Sequence, residues 1–251
     1  SYYSEQFFAD LLVWYHLAWT AETVRKTDVR VQKLMNKAQH FSVHDRHLLI
    51  EVINELIGGV IGRYRKLAEE GRIELSMTPY AHPIVPLLLD IKSTEQAMPD
   101  ADLPIASEYP GGNERSRWHM QKGISVFNNY CGFEPQGCWP SEGSISAETI
   151  ELISETGIKW LASGETVLRN SLNKSDITTD KCIHQAYQYR DASTACFFRD
   201  DGLSDLIGFK YADWHADDAV ANLVHHLESI AENCADKSDA IVSIILDGEN
   251  A

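Results

Sequence analysis

Four short, nearly continuous apolar segments, IELSM (73–77), QGCW (136–139), IKWLA (158–162) and IVSIILD (241–247), alternate with stretches of helical period. Strands apolar on both faces belong to sheets covered on both sides, and alternation with helices makes the sheet parallel. Three of these segments run straight into polar turns: TPYAHP after IELSM, PSEGS after QGCW and DGEN after IVSIIL. FFRDDGLSD follows a further strand-like run, ACFFRD (195–200). Parallel folds carry their chemistry at the carboxyl ends of strands, so the polar turns define one expected functional face.

The remaining pattern is mostly helical. Residues 5–22 are apolar around nearly the whole helix and are predicted to be buried. Apolar positions recur at helical spacing from 44 to 70, with Gly71 as the stop, and helices are also predicted at about 114–130, 145–157 and 216–234. Ser144 is the expected N-cap of the 145–157 helix. TPYAHPIVPLLLD and residues 92–113 read as loops, while QAYQYR (185–190) and the IGF at 207–209 read as strand-like. The YPGGN turn is too short and wrongly placed for a phosphate loop.

Composition narrows the partners. The 251 residues are 44% hydrophobic, enough for a substantial core, and the net charge is −15. That charge disfavours nucleic acid and anionic membrane and suits a neutral ligand such as a sugar. No apolar run has the length of a membrane span. Five cysteines without a C-x-x-C pair read as reduced, buried thiols, not as a disulfide framework or zinc ribbon. His40, His44 and His47 have helical spacing but no acidic set to complete a metal site, and His225-His226 cannot share a helix face.

Glu142 and Asp247 each fall just after a strand and form the candidate catalytic pair. Glycoside hydrolysis needs two carboxyls across one bond, one at the anomeric carbon and one on the leaving oxygen. Trp139 and Trp214 would offer flat faces to sugar rings. Taken singly, Glu142 is equally an exposed loop acid or helix N-terminal charge, and Asp247 a turn former. Their shared placement favours a function. Arg199, Asp200, Asp201 and Asp205 could bind sugar hydroxyls or brace their own loop, and Glu165 could line the pocket or lie on the surface.

With these residues in view, the sequence resembles glycoside hydrolase family 57, the α-glucan-acting group of α-amylases, amylopullulanases and 4-α-glucanotransferases. YAHPIVPLL (80–88), GCWPSEGS (137–144) and LDGEN (246–250) resemble its second, third and fourth conserved regions. FFRDDGLSDLIGF (197–209) and GIKWLASGE (157–165) resemble its amylopullulanase-like branch. The resemblance implies an α/β fold, an incomplete (β/α)7 barrel, and a retaining mechanism without metal or organic cofactor. It implies Glu142 as nucleophile, Asp247 as general acid/base and His82 as a substrate contact, and it favours a place near the substrate for Arg199, Asp200, Asp201 and Asp205.

The His-Gln-Pro of the family's first region is absent, HQA at 184–186 does not replace it, and the fifth region would lie beyond Ala251. The expectation is therefore a single barrel domain over 1–251, cut at both ends, cytoplasmic, and a poor catalyst alone. Its open sheet edge would favour self-association. A 4-α-glucanotransferase with the same site and a non-catalytic glycan-binding protein are the alternatives. A metal-dependent deacetylase would need a strand-end acid beside the His40…His44 pair, and none is placed there.

Overall fold

The computed structural model describes residues 2–98, 100–106, 108–174, 182–234 and 238–248. The chain divides into two compact units, Ser1–Arg72 and Ile73–Ala251.

The first unit is helical: α1 (Glu5–Trp19), α2 (Glu22–Thr27), α3 (Val29–Lys37) and α4 (Val43–Glu69). Each long helix starts on a side-chain cap. Ser4 accepts from Phe7 N, Asp28 from Arg30 N and Val31 N, and Ser42 and Asp45 form a reciprocal capping box. The core is a narrow seam of Val13, Leu17, Val31, Leu34, Phe41, Leu49 and Val52. Contrary to the expected all-round burial, α1 is buried along one side only. Within α1 only Val13 and Leu17 are buried, while Phe7, Phe8, Leu11, Leu12, Tyr15 and Trp19 are exposed, because the seam with α3 and α4 takes up a single stripe of the helix. Periodicity predicts no helix over 22–37, where α2 and α3 form.

The second unit is built on a five-stranded sheet: β1 (Ser76–Met77), β2 (Gly137–Cys138), β3 (Trp160–Gly164), β4 (Tyr187–Gln188) and β5 (Ala195–Arg199), in the order β1-β2-β3-β5-β4. The first four in that row are parallel, and β4 lies antiparallel on β5 at the edge. Helices α5 (Val85–Leu89), α6 (Thr94–Ala97) and α7 (Gly112–Cys131) separate β1 from β2. α8 (Ala147–Glu155) and α9 (Glu165–Lys174) flank β3, and α10 (Asp201–Phe209) and α11 (Ala216–Asn233) follow β5. This parallel β/α succession is that of part of a (β/α)7 barrel, as expected.

The core sits between strands and helices, with Met77, Cys138, Leu161 and Phe198 of the sheet meeting Val85, Met120, Ile150, Ile153 and Leu168 of the helices. Two glycines permit this closeness. A Cβ at Gly137 would lie 2.1 Å from the Trp160 ring, and one at Gly112 would lie 1.7 Å from the Leu88 carbonyl oxygen. Any side chain at either position would force β2 from β3, or α7 from α5.

Several local assignments change. IGF at 207–209 is the last turn of α10, whose start is fixed by Asp200 accepting from Leu203 N. The expected loops contain α5 and α6, and α9 forms where the sequence pattern predicts no element. The N-cap of α8 is Ser146, which accepts from Thr149 N; Ser144 instead donates its hydroxyl to the Ser141 carbonyl. IVSIILD runs beside β5 without a full ladder: Ser243 bridges Arg199 in parallel and its carbonyl accepts from Asp200 N at 2.8 Å. Glu249 and Asn250 of LDGEN lie outside the described residues.

Candidate active site

The register of the sheet sets the site. Met77 pairs with Cys138 and Cys138 with Leu161, so the residues immediately after β1 and β2, Thr78 and Trp139, emerge at one end. Gly164 and Arg199 end β3 and β5 in register at the same side. These four residues, with His82, Glu142, Phe209, Ile245, Leu246 and Asp247, line a cavity of about 360 Å³. The alternation of strands with polar turns thus converges in space on one cleft. A second cavity of similar size, lined by Ser93, Ile145, Thr166, Asn170 and Tyr189 among others, carries neither a carboxylate nor an imidazole.

Glu142 occupies a short 3₁₀ turn, Ser141–Gly143, with φ 55° and ψ 23°. A non-glycine side chain in this left-handed region is strained, and such strain persists only where the surroundings over-determine it. They do so here. The Gly143 carbonyl accepts from the buried Ser163 hydroxyl at 2.6 Å, Gly143 N donates to Pro140 O and Ser144 N to Ser141 O. Trp139 N is held by the Met77 carbonyl at 2.8 Å. The carboxylate is therefore presented by a turn clamped to β1 and β3.

Across the cleft, Ala81 and His82 also take left-handed backbones, at φ 60° and 56°. Their turn is tied to α7: Tyr80 N donates to His119 O, and His119 Nδ1 donates back to Tyr80 O at 2.7 Å. His82 Nε2 lies 3.0 Å from Glu142 Oε1. The side chains are 50% and 75% exposed, so water competes for this bond, and the two clamped turns are what hold the partners in place.

Arg199 forms the far wall. Its guanidinium donates to the Ile245 carbonyl at 2.9 Å, to Asp201 at 2.8 Å and to Asp205 at 2.6 Å. Burial works against its charge, but Asp205 and Asp201 outweigh that and hold it above the ordinary guanidinium range. Through Ile245 it also anchors the segment that carries Asp247.

The cavity gathers His82, Trp139, Glu142, Arg199 and Asp247 from the expected set. It does not gather the others. Asp200 caps α10 and accepts from His184 Nε2 at 3.0 Å; Asp205 pairs with Arg199. Glu165 accepts from Asp201 N and from Arg169. Trp214 is 44% exposed and meets Tyr211 edge-on at 5.4 Å. Sequence reasoning passed over Thr78, Gly164, Phe209, Ile245 and Leu246, although position immediately after a strand would have found Thr78. Among the described residues, Cys182, His184 and Cys234 are the one His/Cys/carboxylate group close enough to share a metal ion, and no helix is long and apolar enough to cross a membrane.

The fold is shared with solved structures. The GH57-type branching enzyme from Pyrococcus horikoshii aligns over 94% of this chain and 48% of its own, at 14% identity and a TM-score of 0.54. The 4-alpha-glucanotransferase from Thermococcus litoralis aligns over 80% of this chain and 26% of its own, at 17% identity and a TM-score of 0.53. A GH57 branching enzyme from Thermococcus kodakaraensis, solved with glucose, aligns over 94% and 50%, at 14% identity and a TM-score of 0.51. The chain thus spans half or less of each. No curated protein sequence matches it. The family model for glycosyl hydrolase family 57 covers residues 13–251, which takes in the His82 turn, the Glu142 turn and Asp247 together, and the chain belongs to that family.

Proposed function

We propose that the protein acts on α-glucans by double displacement with retention, using Glu142 as nucleophile and Asp247 as general acid/base. The observation that carries this reading is the His82–Glu142 pair, two strained turns 60 residues apart in sequence brought to 3.0 Å in a cleft that Asp247 also lines. Glu142 attacks the anomeric carbon to form a glycosyl ester while protonated Asp247 gives its proton to the departing oxygen. Asp247 then takes a proton from water, which releases the sugar. Such chemistry calls for carboxyl groups about 5–5.5 Å apart.

His82 holds Oε1 of the nucleophile through Nε2 and leaves Oε2 outside that bond for attack. Trp139 supplies an aromatic surface to a sugar ring, and Arg199 keeps the Ile245–Asp247 segment against the strand ends. If a sugar hydroxyl takes the place of water, the same steps transfer the glucan. The fold is shared with a branching enzyme and a 4-alpha-glucanotransferase, so the assay must read transfer as well as hydrolysis.

Paired substitutions test the assignment. Glu142→Gln abolishes turnover of soluble starch and maltooligosaccharides, since an amide cannot form the ester. Asp247→Asn is severe on the same substrates and milder on aryl glycosides whose leaving group needs no proton. Turnover retained by Glu142→Gln, or equal loss on both substrate types in Asp247→Asn, would overturn the roles.

A further inference from the structure

Away from the cleft, three side chains converge that the proposed reaction does not use. Cys182 and His184 precede β4, and Cys234 follows α11, 52 residues further on. Their two sulfurs and one imidazole nitrogen all lie within 4.8 Å of one another. We infer that Cys182, His184 and Cys234 bind a zinc ion that staples the end of α11 to the segment entering β4.

The sulfur spacing points to a metal. Two thiolates bound to a tetrahedral zinc at about 2.3 Å stand about 3.8 Å apart. Cys182 Sγ and Cys234 Sγ are 3.7 Å apart. A disulfide would require the sulfurs to close to about 2.05 Å and would give His184 no role. Soft thiolate ligands with an imidazole select zinc over the oxygen-loving divalent ions.

The surroundings of His184 supply the second argument. Its Nε2 lies 3.0 Å from Asp200 Oδ2, and the side chains are only 16% and 11% exposed. An Nε2–H that donates to a carboxylate leaves Nδ1 as the nitrogen with a free lone pair, the outer-shell arrangement that orients metal-bound histidines. The backbone around it is fixed as well: the Tyr187 hydroxyl donates to Cys182 O at 2.6 Å, and Ile241 N to His184 O at 3.0 Å. Zinc binding displaces a proton from each thiol, and the described residues supply three of the four tetrahedral ligands.

The site also touches the catalytic wall. Asp200 accepts from His184 through Oδ2 and caps α10 through Oδ1, 2.9 Å from Leu203 N. α10 carries Asp201 and Asp205, which hold Arg199. The zinc is thus a positioning element for that wall and stands outside the reacting groups.

The test is metal analysis of the chain purified and kept under reducing conditions. About one zinc per chain is expected, with Cys182→Ser and Cys234→Ser each retaining less than about a tenth of it. Cobalt(II) exchanged into the unaltered chain should show a thiolate charge-transfer band, a reading that does not depend on the variants folding. The inference is overturned by an absence of both bound zinc and the cobalt band in the reduced chain. It is equally overturned by zinc that survives both substitutions, or by a Cys182–Cys234 disulfide found on peptide mapping of freshly purified, unreduced protein.

Discussion

His82 and Glu142 face each other at 3.0 Å from two turns that both hold a non-glycine residue in the left-handed backbone region, at φ 56° and φ 55°. Neither conformation is a local preference of its residue. Each is imposed by hydrogen bonds from elsewhere in the fold, Ser163 on one side and His119 on the other. Stability is given up at this position to present the carboxylate.

That strain can be measured. Glu142→Ala keeps the left-handed backbone with a Cβ, whereas Glu142→Gly removes the clash. The glycine variant is expected to be more stable than the alanine variant by about 1 kcal/mol, with activity expected in neither. Chemical denaturation of the two side by side decides it. Equal stability would mean that the turn is not strained in solution.

The imidazole is expected to matter to rate more than to binding. Because water competes for this largely exposed bond, it is worth about 0.5–1 kcal/mol, or roughly 2–5-fold. His82→Ala should therefore lower kcat by that range with little change in KM, because the bond aims the proposed nucleophile at the reacting carbon and does not hold the substrate. A rise in KM at constant kcat would make His82 a substrate-binding group alone.

The two cysteines of the sheet should be chemically silent. Burial pushes the Cys138 thiol up to about 12 and the Cys196 thiol up to about 11. In the unfolded chain both ionise near pH ~8.5, so they cost no stability below that pH. Above it, the unfolded state alone gains charge, and stability falls until pH passes the folded values. Alkylation of the native chain at neutral pH should leave both unlabelled, with full labelling in guanidinium. Labelling of either in the native chain at the rate of a free thiol would contradict the buried assignment.

The parallel order was legible because near-continuous apolar runs such as IKWLA serve only strands covered on both faces. The Glu142 turn was legible because Trp139-Pro140 ends a strand and Gly143-Ser144 opens a bend. Other features depend on distant partners and leave no local trace. Ile207–Phe209 are β-prone by type, yet the Asp200 cap draws them into α10. The exposed face of α1 was hidden because its apolar pattern does not reveal how much of it neighbours cover. Trp214 follows a short polar stretch that suits a sugar platform, but its ring packs on Tyr211 and lines no part of the cleft. The Cys182–His184–Cys234 cluster escaped for the same reason, its third member lying 52 residues from the first.

The central claim is that Glu142 forms a covalent bond to the sugar. An activated fluoro-maltosyl donor, which forms the ester quickly and releases it slowly, should trap the intermediate. Peptide mapping by mass spectrometry is expected to find one glycosyl adduct, on the peptide carrying GCWPSEGS and localised to Glu142, and to find none in Glu142→Gln. An adduct on another carboxylate, or turnover that retains configuration with Glu142 unmodified, would contradict the account.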